Sequence, residues 1–335
     1  MVESFNDRSA VAMERNVHGR DSMICVALTC FNEGPFIGEA VRSVLAQTRQ
    51  DLIESIVIAD DGSGPETVSV LRDISTWDAR IHVIYGPGGQ GLPAQRNLAL
   101  RRGAGELLAI LDGDDVWMPN KLELQLGQVT DPEVGLCYSG YCTFEDGARA
   151  NLSRAPVRDI SNARDLTTMF FLHDPPIIPS TILMRRDRFE GCGGFDASIR
   201  VFEDTDFYLR LSRECRFSFV PEPLLHKRLR RSIITGGRRD LMAHHALVAL
   251  KAAADEPRLL DYVPQRLSER ARKLSNHRLL EGDVEDSLRL SRFAVKLNPW
   301  NFGAWMAYVA ARLPRFARRR LSARVSSGKV LGTDA

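Results

Sequence analysis

The chain has 335 residues, of which 44% are apolar and 26% charged; that excludes a disordered chain and provides for one large domain or two smaller ones around a sizeable core. A formal net charge of +2 gives no global ground for nucleic-acid binding. Six cysteines, Cys25, Cys30, Cys137, Cys142, Cys192 and Cys215, show no clustered metal-ligand spacing and read as reduced, mostly buried thiols of a cytoplasmic protein.

Residues 1–22 mix charges throughout and carry no apolar signal core, so they read as a lead-in to a chain that is not exported. The longest uncharged apolar stretch, 302–311, falls short of the roughly 20 residues of a spanning helix. ICVALT (24–29) predicts a first strand ending in Cys30-Phe31-Asn32-Glu33-Gly34. Behind Pro35 follows a helix with Ile37, Ala40, Val41, Val44 and Leu45 at helical spacing. IESIVIA (53–59) predicts the next strand, ending in Asp60-Asp61-Gly62-Ser63. Ser63 and Glu66 then suggest a capping box around Pro65, with Val70, Leu71 and Ile74 as the apolar stripe. IHVIY (81–85), a helix over about 93–102, ELLAIL (106–111) and a helix over about 120–129 continue the series. Strands with so little polar alternation, separated by helices, imply a Rossmann-like, mostly parallel α/β sheet covered on both faces.

In open α/β sheets ligands bind beyond the carboxyl ends of the strands. Here those ends read Asn32-Glu33, Asp60-Asp61, a glycine-rich loop and Asp112-Gly113-Asp114-Asp115. Carboxylates this close repel and lose hydration, so they call for a cation or hydrogen-bond donors. Asp112 and Asp114 suit a hard ion such as Mg²⁺ or Mn²⁺; helix capping before Pro119 explains one acid, not three. A competing pattern is Gly86 to Gly91, which satisfies G-x-G-x-x-G with Asp112 lying 21 residues beyond and would make the protein an NAD(P)-dependent oxidoreductase. Against it, that fingerprint belongs to the first strand of its unit and wants one acid. The aspartyl-nucleophile phosphatase reading of DGDDV needs a later Lys and an acidic pair at a strand end, whereas GDVED (282–286) opens a helix.

Five pieces in order carry a resemblance: ICVALTCFNEGPFIGEAVRSVLAQT; IVIADDGS; AQRNLAL with RGAGELLAILDGDDVWMPNKLE; CGGFD with FEDTDFYLRL; and VPEPLLHKRLRRS. Residues 23–231 thereby resemble the family 2 glycosyltransferases, inverting enzymes of the GT-A fold. The resemblance implies that Asp61, with Asp60, holds the donor's base while Thr29, Asn32 and Glu33 line the nucleoside pocket. Arg96 would lie near the nucleotide, and Asp112 and Asp114 would handle ribose and a Mn²⁺ or Mg²⁺ cofactor, with Asp115 behind them. In Glu203-Asp204 the catalytic base would be Asp204. Its plain alternative is an acid in the first turn of a helix, with Phe207, Tyr208 and Leu211 on the same face. Ser180 and Thr181, in DPPIIPSTILMRR (174–186), would lie on the acceptor side. His226, Arg228 and Arg230 fall where the family has a basic loop over the diphosphate; the family's histidine position holds Arg230 here, so which of the three meets phosphate stays open.

Past residue 238 the pattern is helical, beginning with Leu241, Ala243, His244, Leu247 and Leu250. Residues 281–305 resemble one tetratricopeptide-like unit, with Ala294, Pro299 and Ala304 as landmarks. A solenoid needs about three such units, so a cap packed on the catalytic domain is expected. His244 and His245 are adjacent, face different sides of a helix and make a poor metal pair. Six arginines between Arg312 and Arg324, interleaved with Leu313, Phe316 and Leu321, predict either a solvated helix face or an amphipathic helix making peripheral contact with anionic lipid.

The expectation is a lead-in (1–22), a GT-A catalytic domain (23–237, nucleotide-sugar half 23–120 and acceptor half 121–237) and a helical region with a basic tail (238–335). Its activity would be metal-dependent inverting transfer from a nucleotide-diphosphate sugar, a UDP-sugar by family tendency, to a saccharide or polyprenyl-linked acceptor. That activity would serve surface polysaccharide or glycolipid synthesis, in the cytoplasm or at the inner face of the plasma membrane. A non-catalytic sugar-nucleotide-binding scaffold is the third reading; it has no need of a base such as Asp204.

Overall fold

The four apolar runs of the first half become parallel strands, three of them largely buried and the edge one, 81–85, mostly half-buried or exposed. A computed structural model describes residues 22–146, 152–230 and 240–313. In it β1 (Ile24–Cys30) is buried at every position, flanked by β2 (Ile53–Asp60) and β4 (Leu107–Asp112), with β3 (Ile81–Tyr85) outside β2. All three pairings are parallel. The connecting helices are α1 (Gly34–Leu45), α2 (Pro65–Ile74) and α3 (Leu92–Arg102), each with a proline in its first turn, where a missing N–H costs nothing. Two large apolar clusters fill the faces of the sheet.

The register aligns the strand ends: Thr29 pairs with Asp112, Cys30 with Asp60, and Asp60 with Tyr85. The chain beyond is held by the turns' own polar groups. Ser63 does not cap α2 as its spacing with Glu66 suggested; Gly64 is the N-cap residue. The Ser63 hydroxyl instead donates to Asp60 Oδ1 at 2.5 Å and accepts the Asn32 N–H at 2.8 Å. Asp60 Oδ2 takes the N–H groups of Gly62 and Ser63, and this turn outcompetes the capping box for the serine.

After β4 the sheet turns mixed. β5 (Val116–Trp117), α4 (Lys121–Leu126), β6 (Val134–Glu145), β7 (Ser153–Arg154), α5 (Leu166–His173), β8 (Leu183–Arg185), α6 (Arg186–Gly191), α7 (Glu203–Leu211) and β9 (Arg216–Leu229) complete it, in the order β3-β2-β1-β4-β8-β6-β9-β5 with β7 beside β6. β8 runs antiparallel to β4 and β6, and β5 antiparallel to β9, whereas β6 and β9 are parallel. The α4 helix is shorter than its pattern suggested, ending at Leu126 with Gly127 as its C-cap residue.

Four helices follow: α8 (Leu241–Asp255), α9 (Val263–Glu281), α10 (Val284–Leu297) and α11 (Phe302–Arg312). Asp283 caps α10 by accepting the Asp286 N–H, so GDVED opens a helix as read. Val248, Ala249, Ala252 and Leu267 pack into the same cluster as Phe207 and Tyr208. All six cysteines are free thiols, and among the described residues no helix is long and apolar enough to cross a membrane. The arginine-rich stretch beyond Leu313 lies outside the described residues.

Candidate active site

The aligned ends of β1, β2 and β4 open into a cleft of about 480 Å³, lined among others by Thr29, Glu33, Asp61, Asp112, Asp114, Lys227 and Arg230. Gly113 makes the close approach possible: a Cβ there would stand 2.8 Å from the Thr29 carbonyl oxygen.

Arg96, on α3, is the hub. It is 2% exposed; its Nη2 donates to Asp112 Oδ1 at 2.9 Å and its Nη1 to Glu203 Oε1 at 2.8 Å. Burial pushes the Asp112 carboxyl up, but Arg96 and then Lys227 outweigh it and hold it below its ordinary range. Glu203 is pushed up to about 7 by burial, with Asp204 adding and Arg96 opposing. Asp204, in the first turn of α7, is partly exposed and accepts the Thr205 N–H at 2.7 Å. Burial also raises its carboxyl, against Arg96.

The carboxylates opposite are crowded. Burial and then Asp114 raise Glu33, while burial and then Asp112 raise Asp114. Arg230 Nη1 answers both, at 2.5 Å from Glu33 Oε2 and 3.0 Å from Asp114 Oδ2. Asp115 is fully buried behind them and pushed up to about 7 by burial. It accepts the Ser180 hydroxyl at 2.8 Å and the Arg228 N–H at 3.1 Å, so it braces the turn. Among the described residues no group of three His, Cys, Asp or Glu side chains is arranged to hold a metal ion.

Several expected site residues have other employment. Ser180 and Thr181 are fully buried, not acceptor-facing: the Ser180 hydroxyl takes the Asp112 N–H and supports Asp115, and Thr181 Oγ1 donates to the Ile178 carbonyl. Asp60 is spent on its turn, and Asn32, at φ 56°, accepts the Gly64 N–H. Arg228 is committed to Glu39, Asp146 and the Asp114 carbonyl, between the rings of Phe36 and Phe144. His226 does not line the cleft and faces Phe144 edge-on. The cleft cations here are Lys227 and Arg228 of β9 and Arg230 just beyond it. Lys227, also on β9, went unread.

The glycine loop offers no free cradle to a dinucleotide. The Gln90 and Gly91 N–H groups donate to the two Asp61 carboxylate oxygens, each at 2.9 Å, and Gln95 Nε2 joins them at 2.9 Å. Donors that would meet a pyrophosphate already hold a carboxylate, which disfavours the oxidoreductase reading.

Two contacts with the C-terminal helices escaped the sequence. Phe202, which leads into Glu203-Asp204, has left-handed backbone at φ 64°, and its ring stacks on His245 of α8 at 3.9 Å. Asp174, also at positive φ, meets the buried guanidinium groups of Arg266 (3.3 Å) and Arg270 (2.5 Å) on α9.

Residues 25–193 match the sequence profile "Glycosyl transferase family 2". The chain belongs to that family. It is 34% identical over 126 residues to a protein described as a putative teichuronic acid biosynthesis glycosyltransferase, TuaG of Bacillus subtilis, covering 37% of this chain and 49% of that one. It is 29% identical over 121 residues to the Escherichia coli UDP-Glc:alpha-D-GlcNAc-diphosphoundecaprenol beta-1,3-glucosyltransferase WfgD, covering 36% and 46%. The chain thus spans about half the length of these two relatives. Among solved structures, the mannosyltransferase PcManGT from Pyrobaculum calidifontis in complex with GDP-Man and Mn2+ superposes with a TM-score of 0.59 at 18% identity, over 93% of this chain and 81% of that one. S. aureus TarS 1-349 in complex with UDP gives 0.56 at 17% identity, over 93% and 94%. These likenesses establish the fold: a GT-A type α/β sheet with C-terminal helices.

Proposed function

We propose that this protein is an inverting glycosyltransferase that moves a sugar from a nucleotide-diphosphate donor to a hydroxyl of a saccharide or lipid-linked acceptor in cell-surface polysaccharide synthesis. The observation that carries the reading is the Arg96 bridge, which joins Asp112 at the donor strand ends to Glu203 beside Asp204. Donor and acceptor chemistry thereby share one rigid frame.

The acceptor hydroxyl attacks the anomeric carbon as the bond to the diphosphate oxygen breaks on the opposite face, inverting the centre. Asp204 takes the hydroxyl proton, a role worth roughly 10²–10⁴ in rate. Burial supports this by raising the carboxyl's proton affinity, against the pull of Arg96. Lys227 and Arg230 stand on the cleft wall where they would meet the diphosphate. Thr29, Glu33 and Asp61 line the same cleft, and the nucleoside would lie against them.

A divalent cation is proposed at Asp112 and Asp114, whose carboxylates offer hard oxygens beside Glu33 and Arg230. When bound, Mn²⁺ or Mg²⁺ would neutralise charge on the departing diphosphate. The donor is proposed to be a UDP-sugar: TarS 1-349 was solved with UDP and WfgD is named for a UDP-Glc donor, whereas PcManGT was solved with GDP-Man.

Calorimetric titration with UDP, GDP, dTDP and NAD, each with and without Mn²⁺, tests the reading. We expect one nucleoside diphosphate to bind with metal and to fail in Asp114→Ala. NAD binding without metal and without any diphosphate response would overturn it. Unchanged turnover in Asp204→Asn would remove the base and favour a non-catalytic, sugar-nucleotide-binding scaffold.

A further inference from the structure

The last described helix carries its apolar side outward. Helix α11 packs inward through Ala304, Ala307 and Ala311, and Ala304 closes a small cluster with Ala271 and Ala294. Outward stand Trp300 (93% exposed), Phe302 (75%), Trp305 (45%), Met306 (44%) and Val309 (50%). From Phe302 these recur at i, i+3, i+4 and i+7, one face of a helix, with Trp300 at its entry. Lone exposed apolar residues are ordinary on protein surfaces; five large ones on one face, two of them tryptophans, are not.

Charge says what covers this face. The chain as a whole is nearly neutral, yet between Ser287 and Thr333 it carries ten Lys and Arg and no Asp or Glu. Within the described part, Arg292 and Arg312 flank the face, each with its guanidinium over the Tyr308 ring, at 5.9 Å and 4.5 Å. A second copy would bring the same uncompensated positive charge against itself. Nucleic acid would answer the charge but not the aliphatic Met306 and Val309. An anionic bilayer surface answers both, since tryptophan and phenylalanine settle at the level of the headgroups while Lys and Arg meet lipid phosphates.

We propose that the outer face of α11 docks the protein peripherally on an anionic phospholipid surface. The docking is independent of the glycosyl-transfer reading, and its test needs no substrate. The full chain is co-sedimented with vesicles of phosphatidylcholine alone and of equal parts phosphatidylcholine and phosphatidylglycerol, beside the triple variant Trp300→Ala, Phe302→Ala, Trp305→Ala. Expected are binding to the anionic vesicles only, weakening with salt, and a loss of about tenfold or more in the variant at an unchanged melting temperature.

A second measurement does not depend on how the variant folds: in the wild type, brominated acyl chains should quench the tryptophan emission that Trp300→Phe removes. Equal binding to both vesicles, binding to neither, or no such quenching would overturn the proposal. So would self-association that the triple variant abolishes, which assigns the face to a second copy. Retention of RNA or DNA in place of vesicles would give the face to nucleic acid and overturn it as well.

Discussion

Arg96 Nη1 lies 2.8 Å from Glu203 Oε1, although 107 residues separate them, and both side chains are buried. Removing one partner of such a pair leaves an uncompensated charge and costs about 3–5 kcal/mol. Arg96→Met should therefore lower the unfolding free energy by about that much, and Glu203→Gln added to it should restore part of the loss. Additive losses in denaturant unfolding would mean that the two side chains are not coupled.

Phe202 holds left-handed backbone, which costs a non-glycine residue on the order of 1–3 kcal/mol, and its ring stacks on His245 at an interplanar angle of 16°. His245 is neutral, pushed down to about 3 by burial and then by the positive Arg270 and Arg266. The stack therefore acts as a positioning contact for the turn that presents Asp204. His245→Ala should lower kcat while leaving nucleoside-diphosphate affinity unchanged, and His245→Phe, which keeps a stacking ring, should recover most of the rate. Equal losses in both variants would show that stacking is not the cause.

Asp115 has a folded value of about 7 against an ordinary 3.8, so between those values the folded state binds more protons than the unfolded one. By linkage its contribution to stability falls as pH rises from about 4 to about 7, and the penalty is complete above that. Asp115→Asn should therefore gain melting temperature relative to wild type as pH rises through that window. A gap that stays constant or narrows would place the Asp115 carboxyl near its ordinary value.

Lys227 lines the cleft and His226 does not. Losing a charged hydrogen-bond donor to phosphate costs about 1.5–3 kcal/mol, so Lys227→Gln should weaken nucleoside-diphosphate binding by one to two decades while His226→Gln leaves it unchanged. The reverse ranking in titration calorimetry would return the role to the histidine.

Asp174 sits between two guanidinium groups that are almost wholly buried, Arg266 and Arg270. Asp174→Ala leaves both without a carboxylate and should destabilise by about 3–5 kcal/mol. A change within about 0.5 kcal/mol, the range of ordinary surface substitutions, would mean that the cluster is satisfied by other means.

Local chemistry made the first half of the molecule legible. Apolar runs without alternation dictate buried parallel strands, proline and glycine punctuate their helices, and the strand ends carry carboxylates that only a polar cleft tolerates. The crevice, the Asp112–Asp114 pair and the family all follow from that order of residues. Three-dimensional contact decided the rest. Asp60 and Asp61 are neighbours in sequence, yet one is held within its own turn and the other, which lines the cleft, is held by N–H groups of a different loop. Ser180 reads as an acceptor-side residue until β8, antiparallel to β4, carries its segment beneath the DGDD turn. The Arg96–Glu203 and Phe202–His245 contacts join segments far apart along the chain, and no local pattern encodes them. Periodicity and turn chemistry act over a few residues, so the sequence by itself determined the strands, their polar ends and the family. Which side chains face the cleft depends on packing between distant segments, and only the tertiary structure decided that.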